Sequence, residues 1–165
     1  MHEDFLLTIA EVSGALLGFV GVVLILGRRS EGIISTRDKS GLFHLVYAAS
    51  GTLFFSLLMY VFLASFEQVA LIWRVGIGLS TLYILFGVSR AIMEGRTGGN
   101  RLSDLTRHFL SVVTFSIVGM NLAIVLGYLP SFAPFAFTIT MTLMVAVAVS
   151  YFVPFVFGVS EDETE

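Results

Sequence analysis

Five apolar runs, at about 5–27, 41–64, 69–92, 108–129 and 133–157, decide what this chain can fold into. Each holds 22 to 25 residues, so as an α-helix each measures about 33–38 Å at 1.5 Å per residue. That is enough to cross the ~30 Å hydrocarbon core of a bilayer with some tilt. Backbone amides and carbonyls in lipid must find partners within their own segment, so the runs read as helices rather than strands. The expected fold is an all-α integral membrane protein: a bundle of five transmembrane helices forming one transmembrane domain over residues 1–165.

Composition points the same way. Only 13% of the 165 residues are charged, and the mean hydropathy is +0.93. A soluble domain needs roughly a quarter of its residues charged. The first run reads as a retained anchor rather than a cleaved signal peptide. Its leader Met1-His2-Glu3-Asp4 has no positive charge, and Arg28 and Arg29 follow the apolar stretch instead of preceding it.

Orientation follows from the basic residues. Eight of the nine Lys and Arg fall in two connections: Arg28, Arg29, Arg37 and Lys39 in the first, Arg90, Arg96, Arg101 and Arg107 in the second. The positive-inside rule makes that side cytoplasmic, with the N-terminus outside and the C-terminus inside. A bacterial cytoplasmic (inner) membrane is the expected location. The short turns 65–68 and 130–132 would then lie outside and define two hairpins. Shifting the second hairpin by 64 positions aligns Arg37 with Arg101, His44 with His108, Ser50 with Thr114, and Thr52 with Ser116. This suggests a 1+2+2 arrangement with two parallel hairpins.

The chemistry-bearing residues are few. Glu11, Gly14, Gly18 and Gly21 step by three and four, so they share one face of the first helix. Such a face suits close helix packing, a narrow pore lining, or the docking of another protein. A charge at mid-helix costs about 2.5–3.5 kcal/mol on insertion scales, so Glu11 needs a reason. Arg74, behind the interface anchor Trp73, lies at a similar expected depth in the third run, and a Glu11–Arg74 ion pair would resolve both charges. The competing readings are a snorkelling, water-exposed Glu11 and an ion-binding or proton-carrying one.

Asn121 is the most polar group near mid-membrane, suited to an interhelical hydrogen bond or a permeation path. His44 and His108, at equal expected depth, are a weak candidate pair for a metal or haem. There is no cysteine, no His-Glu-x-x-His and no clustered carboxylate within a run, so neither catalysis nor a cofactor is expected. The Glu94–Arg101 loop lacks the Gly-Lys-Ser/Thr ending of a phosphate-binding loop, and nothing supports nucleic-acid binding. Anionic head groups are the expected partner of the basic face.

These features favour a homo-oligomeric ion channel or permeation pore with Glu11 near its outer mouth. The alternatives are a non-catalytic accessory subunit of a larger membrane complex and a small proton-coupled transporter. Small epitopes fused at the two ends should be reachable from opposite faces of intact cells, as protease protection would show.

Overall fold

A computed structural model of the chain describes the backbone of residues 2–30, 36–95 and 104–157, with side chains over 4–22, 41–93 and 111–153. Five α-helices follow in order: α1 (His2–Ser30), α2 (Thr36–Ser65), α3 (Val69–Gly95), α4 (Asp104–Val125) and α5 (Ala133–Phe157). A single 3₁₀ turn, Pro130–Phe132, precedes α5.

Four helices are long and apolar enough to cross a membrane, with spans at Asp4–Val22, Gly41–Ser65, Val69–Met93 and Pro130–Val153. The described apolar part of α4, Ser111–Val125, is shorter. By helix length and composition the chain is a multi-pass membrane protein. Its outward side chains agree, because Phe54, Leu82, Phe86, Val112 and Phe115 are all exposed, a surface suited to acyl chains.

Helix α4 ends short of the expected 129. Gly127 takes a left-handed φ of +92°, a conformation open to glycine at no Cβ cost. Its N–H donates to the carbonyl of Ile124 (3.0 Å), and the Tyr128 N–H donates to that of Ala123 (3.0 Å). These bonds close the last turn, and Pro130, lacking an N–H to continue α4, instead opens the 3₁₀ turn before α5.

Helices α2 and α5 form the centre of the bundle. Helix α1 lies on α2 and touches α5, α3 packs on α2, α4 and α5, and α4 packs on α3 and α5. Every helix contributes to the core: Leu6, Met59, Ile77, Ile124, Phe137 and Met141 are all fully buried. Trp73, expected at the membrane interface, is buried instead, with its ring edge-to-face against Phe137 at 5.6 Å. In lipid such packing stabilises through dispersion and close fit rather than through release of water.

Two tyrosines join α2 to α3. The rings of Tyr47 and Tyr83 stack with centroids 4.0 Å apart and planes 3° from parallel. Each hydroxyl donates to the other's backbone carbonyl, Tyr47 to Tyr83 at 2.5 Å and Tyr83 to Tyr47 at 2.8 Å. Two glycines make room for the rings. A Cβ on Gly87 would stand 2.7 Å from Tyr47 Cε1, and one on Gly51 would overlap the Tyr83 ring, 2.8 Å from its Cζ. The pattern Tyr-x-x-x-Gly thus occurs once on each helix, and the antiparallel pairing seats each ring on the other helix's glycine.

The 64-residue offset does not carry environment with it. Thr52 is fully buried while Ser116 is exposed, and buried Asn121 would match exposed Leu57.

Gly51→Ala and Gly87→Ala should each destabilise the bundle by about 1–3 kcal/mol through overpacking. Gly18→Ala should have little effect on the isolated chain, since nothing lies within 4 Å of that position. Thermal unfolding of the three variants in detergent would check the order.

Candidate functional site

Contacts between neighbouring helices set their register. On α2 and α3, Tyr47 sits over Gly87, Tyr83 over Gly51, and Met59 against Gly76. On α2 and α5, Gly51 faces Met144, and His44 stacks on Tyr151 with centroids 5.1 Å apart. Gly78 faces Val125 across α3 and α4. On α1 and α2, Val20 clusters with Leu45 and Tyr151, and Leu16 and Leu17 pack against the cluster of Ala48, Ala49 and Ala148.

This register gathers the buried polar side chains. The described residues include nine: Ser13, His44, Thr52, Ser56, Ser80, Thr81, Thr114, Asn121 and Thr140. Seven of them, all except His44 and Thr114, fall within about four residues of one level, a slab about 6 Å thick at 1.5 Å per residue. Each of the five helices contributes at least one.

Hydrogen bonding defines the slab's character. Five of its hydroxyls donate to a carbonyl of their own helix: Ser13 to Ile9 (2.8 Å), Thr52 to Ala48 (2.8 Å), Ser80 to Ile77 (3.1 Å), Thr81 to Ile77 (2.7 Å) and Thr140 to Ala136 (2.7 Å). With their protons directed there, the oxygens act as acceptors, and Thr140 Oγ1 also reaches Asn121 Oδ1 at 3.4 Å. Asn121 supplies the missing donor: its Nδ2 donates to Thr81 Oγ1 and Thr140 Oγ1, each at 3.1 Å. One amide on α4 thereby ties α3 to α5. Ser56 Oγ, on α2, is buried without a hydrogen-bond partner.

Glu11 lies at the level of this slab but outside it. It is exposed on α1, whose buried side carries Leu6, Ala10, Ser13 and Val20. Gly14, Gly18 and Gly21 run along the rim of that buried side, and a Cβ on any of them would meet nothing within 4 Å. Among the described residues, the glycine face is therefore not spent on packing. It opens outward together with Glu11.

The expected Glu11–Arg74 pair is not formed. Helix α1 packs on α2 and α5, whereas Arg74 is on α3. The register also places Glu11 about two turns deeper than Arg74, or ~10 Å along the axis, so the matching depth read from the sequence does not hold. Arg74 is half-buried, with Nε lacking a hydrogen-bond partner and Nη2 3.8 Å from where a Cβ of Gly127 would stand. It thus sits at the C-terminal end of α4, where the helix dipole favours a cation.

Of the candidate pair His44 and His108, His44 is buried near the basic end, stacked on Tyr151. The side chain of His108 lies outside the described residues, as do Arg28, Arg29, Arg37, Lys39, Arg96, Arg101 and Arg107. Among the described residues no group of three or more His, Cys, Asp or Glu comes together.

Sequence reasoning found Asn121 but not its threonine partners, nor the Tyr47–Tyr83 clasp. The repeated Tyr-x-x-x-Gly was the available signal for the clasp. Compared with protein-family models, curated proteins and solved structures, the chain matches none.

Asn121→Ala should lower stability by about 1–3 kcal/mol, from two lost interhelical bonds at ~0.6 kcal/mol each and the space left behind. Glu11→Gln should leave it unchanged. Unfolding in mixed micelles would separate the two.

Proposed function

We propose that the protein is a homo-oligomeric ion-permeation pore in which the Glu11–Gly14–Gly18–Gly21 face of α1 lines the path between copies. The observation that carries this reading is the outward position of Glu11 beside an open glycine face. A lone chain would hold that carboxylate against lipid at a cost of about 2.5–3.5 kcal/mol if it lay at the helix centre. An assembly that turns the face toward a hydrated axis removes the cost, and the glycines leave room for an ion with part of its water.

The bundle interior supports a path between copies rather than through one. Phe137, Met59, Met141 and Ile77 lie fully buried within it. In this reading all five helices cross, with the basic connections on the cytoplasmic side of an inner membrane. The Glu11 carboxylates then form a cation-preferring ring about two turns below the outer boundary, and the glycines lead inward to the arginines at the exit. The protein performs no covalent chemistry.

A second reading draws on the same open face. It makes α1 the docking strip of an accessory subunit on a different membrane protein, with Glu11 meeting a basic or hydrogen-bonding group of that partner.

The mass and symmetry of the solubilised particle come first, with a closed ring expected. In liposomes the protein should then pass cations, and Glu11→Gln should reduce cation-over-anion preference severalfold. A monomeric particle that passes no ions would remove the pore reading. A stable heteromeric complex would replace it with the accessory one.

A further inference from the structure

A half-buried cation at the turn end of the bundle has a donor to spare. Arg74, on α3, keeps its Nε buried with no hydrogen-bond partner, and an unmade bond to a charged group is costly. Its Nη2 lies beside Gly127, 3.8 Å from where a Cβ would stand, so no side chain at that position covers the guanidinium. The carbonyl end of α4 attracts the cation through the helix dipole but accepts nothing from Nε. Two acids could have answered it. Glu11 lies on α1, which packs on α2 and α5, and Glu67 stands exposed in the turn between α2 and α3.

The depth of Arg74 follows from that turn. Gln68, the residue before α3 begins, lies six positions earlier, so Arg74 sits about 9 Å below it along the helix. From there an arginine stem carries its head group to the level of lipid phosphates. The surface beside it is apolar: Leu71 and Val75 on α3 and Leu126 at the end of α4 are all exposed. One turn deeper, Gly78 keeps the seam between α3 and α4 shallow. A Cβ there would meet only Val125 among the described residues, at 3.8 Å. A cation at phosphate depth thus stands at the head of an apolar seam.

We propose that Arg74 and the α3–α4 seam below it bind an anionic glycerophospholipid in the leaflet opposite the basic connections. The guanidinium donates to the phosphodiester oxygens in charge-assisted hydrogen bonds. Leu71, Val75 and Leu126 take the upper part of an acyl chain, which continues past Gly78. A free phosphate ion would use the cation alone, whereas a lipid uses both parts of the surface. Glu67 is the chain's own competing anion. The site requires only that α3 cross the membrane and is independent of assembly into a pore.

Trp73, the only tryptophan in the chain, precedes Arg74 and supplies a local readout, since bromine on an acyl chain quenches indole fluorescence at short range. The full chain is placed in vesicles of equal phosphatidylglycerol and phosphatidylcholine, with bromine on the acyl chains of one lipid or the other. Phosphatidylglycerol should quench Trp73 as though enriched about fivefold, the effect of one basic residue at a bilayer surface. Arg74→Gln should remove the enrichment. Its quenching in vesicles where both lipids carry bromine should match the wild type, which shows the indole still in place. Arg90→Gln, a charge removed at the other end of α3, should leave the enrichment unaltered, and so should added inorganic phosphate. Equal quenching by the two lipids in the wild type would overturn the proposal. So would enrichment that survives in Arg74→Gln, an equal loss in Arg90→Gln, or displacement of the lipid by inorganic phosphate.

Discussion

In hydrocarbon a polar group has no solvent to fall back on. Each backbone amide of a crossing segment must find its acceptor inside that segment, which selects helices, and each side-chain hydroxyl faces the same demand. The bundle meets it in the most local way available. Ser13, Thr52, Ser80, Thr81 and Thr140 all donate to a carbonyl three or four residues earlier. With those protons directed there, the hydroxyl oxygens become a set of acceptors waiting for a donor. Asn121 is the side chain that provides one, and its placement links three helices at the level where the buried polar groups collect. The slab follows from satisfying hydrogen bonds where no water competes.

Close approach is the second organising constraint. Without a hydrophobic force between helices in lipid, stability depends on fit. The bundle uses its glycines in two distinct ways. Gly51, Gly76 and Gly87 are filled by side chains from the neighbouring helix, two tyrosine rings and a methionine. Gly14, Gly18 and Gly21 are filled by no described residue. The first group holds the bundle together. The second leaves a surface on which the same physics has yet to act, and Glu11 stands beside it. That contrast separates the packed interior from the open face of α1.

Legibility varied by residue for physical reasons. The helices were readable because a run of over twenty apolar residues has few alternatives to crossing a membrane. Asn121 was readable because one amide among apolar neighbours at mid-helix must be bonded. The Glu11–Arg74 pair was not, since opposite charge and similar distance from a helix end say nothing about which helices are neighbours or how they are offset. The tyrosine clasp escaped because each Tyr-x-x-x-Gly is unremarkable alone and acquires meaning only when two antiparallel copies meet in register. The end of α4 was misplaced for a local reason: residues 126–129 are mostly apolar and continue the run, but Gly127 turns the chain.

By itself the sequence determined the kind of molecule: an all-helical chain in lipid, sparing with charge and with its basic residues concentrated in two connections. Those are consequences of hydropathy and backbone hydrogen bonding, which act residue by residue along the chain. Only the tertiary structure decided which polar groups share a level, which glycines are filled, and that Glu11 faces outward while Arg74 lies beside the end of α4. Such facts depend on the rotation and offset of each helix against its neighbours. In an almost uniformly apolar chain, one-dimensional patterning leaves those two quantities nearly undetermined, and a few close contacts between side chains settle them.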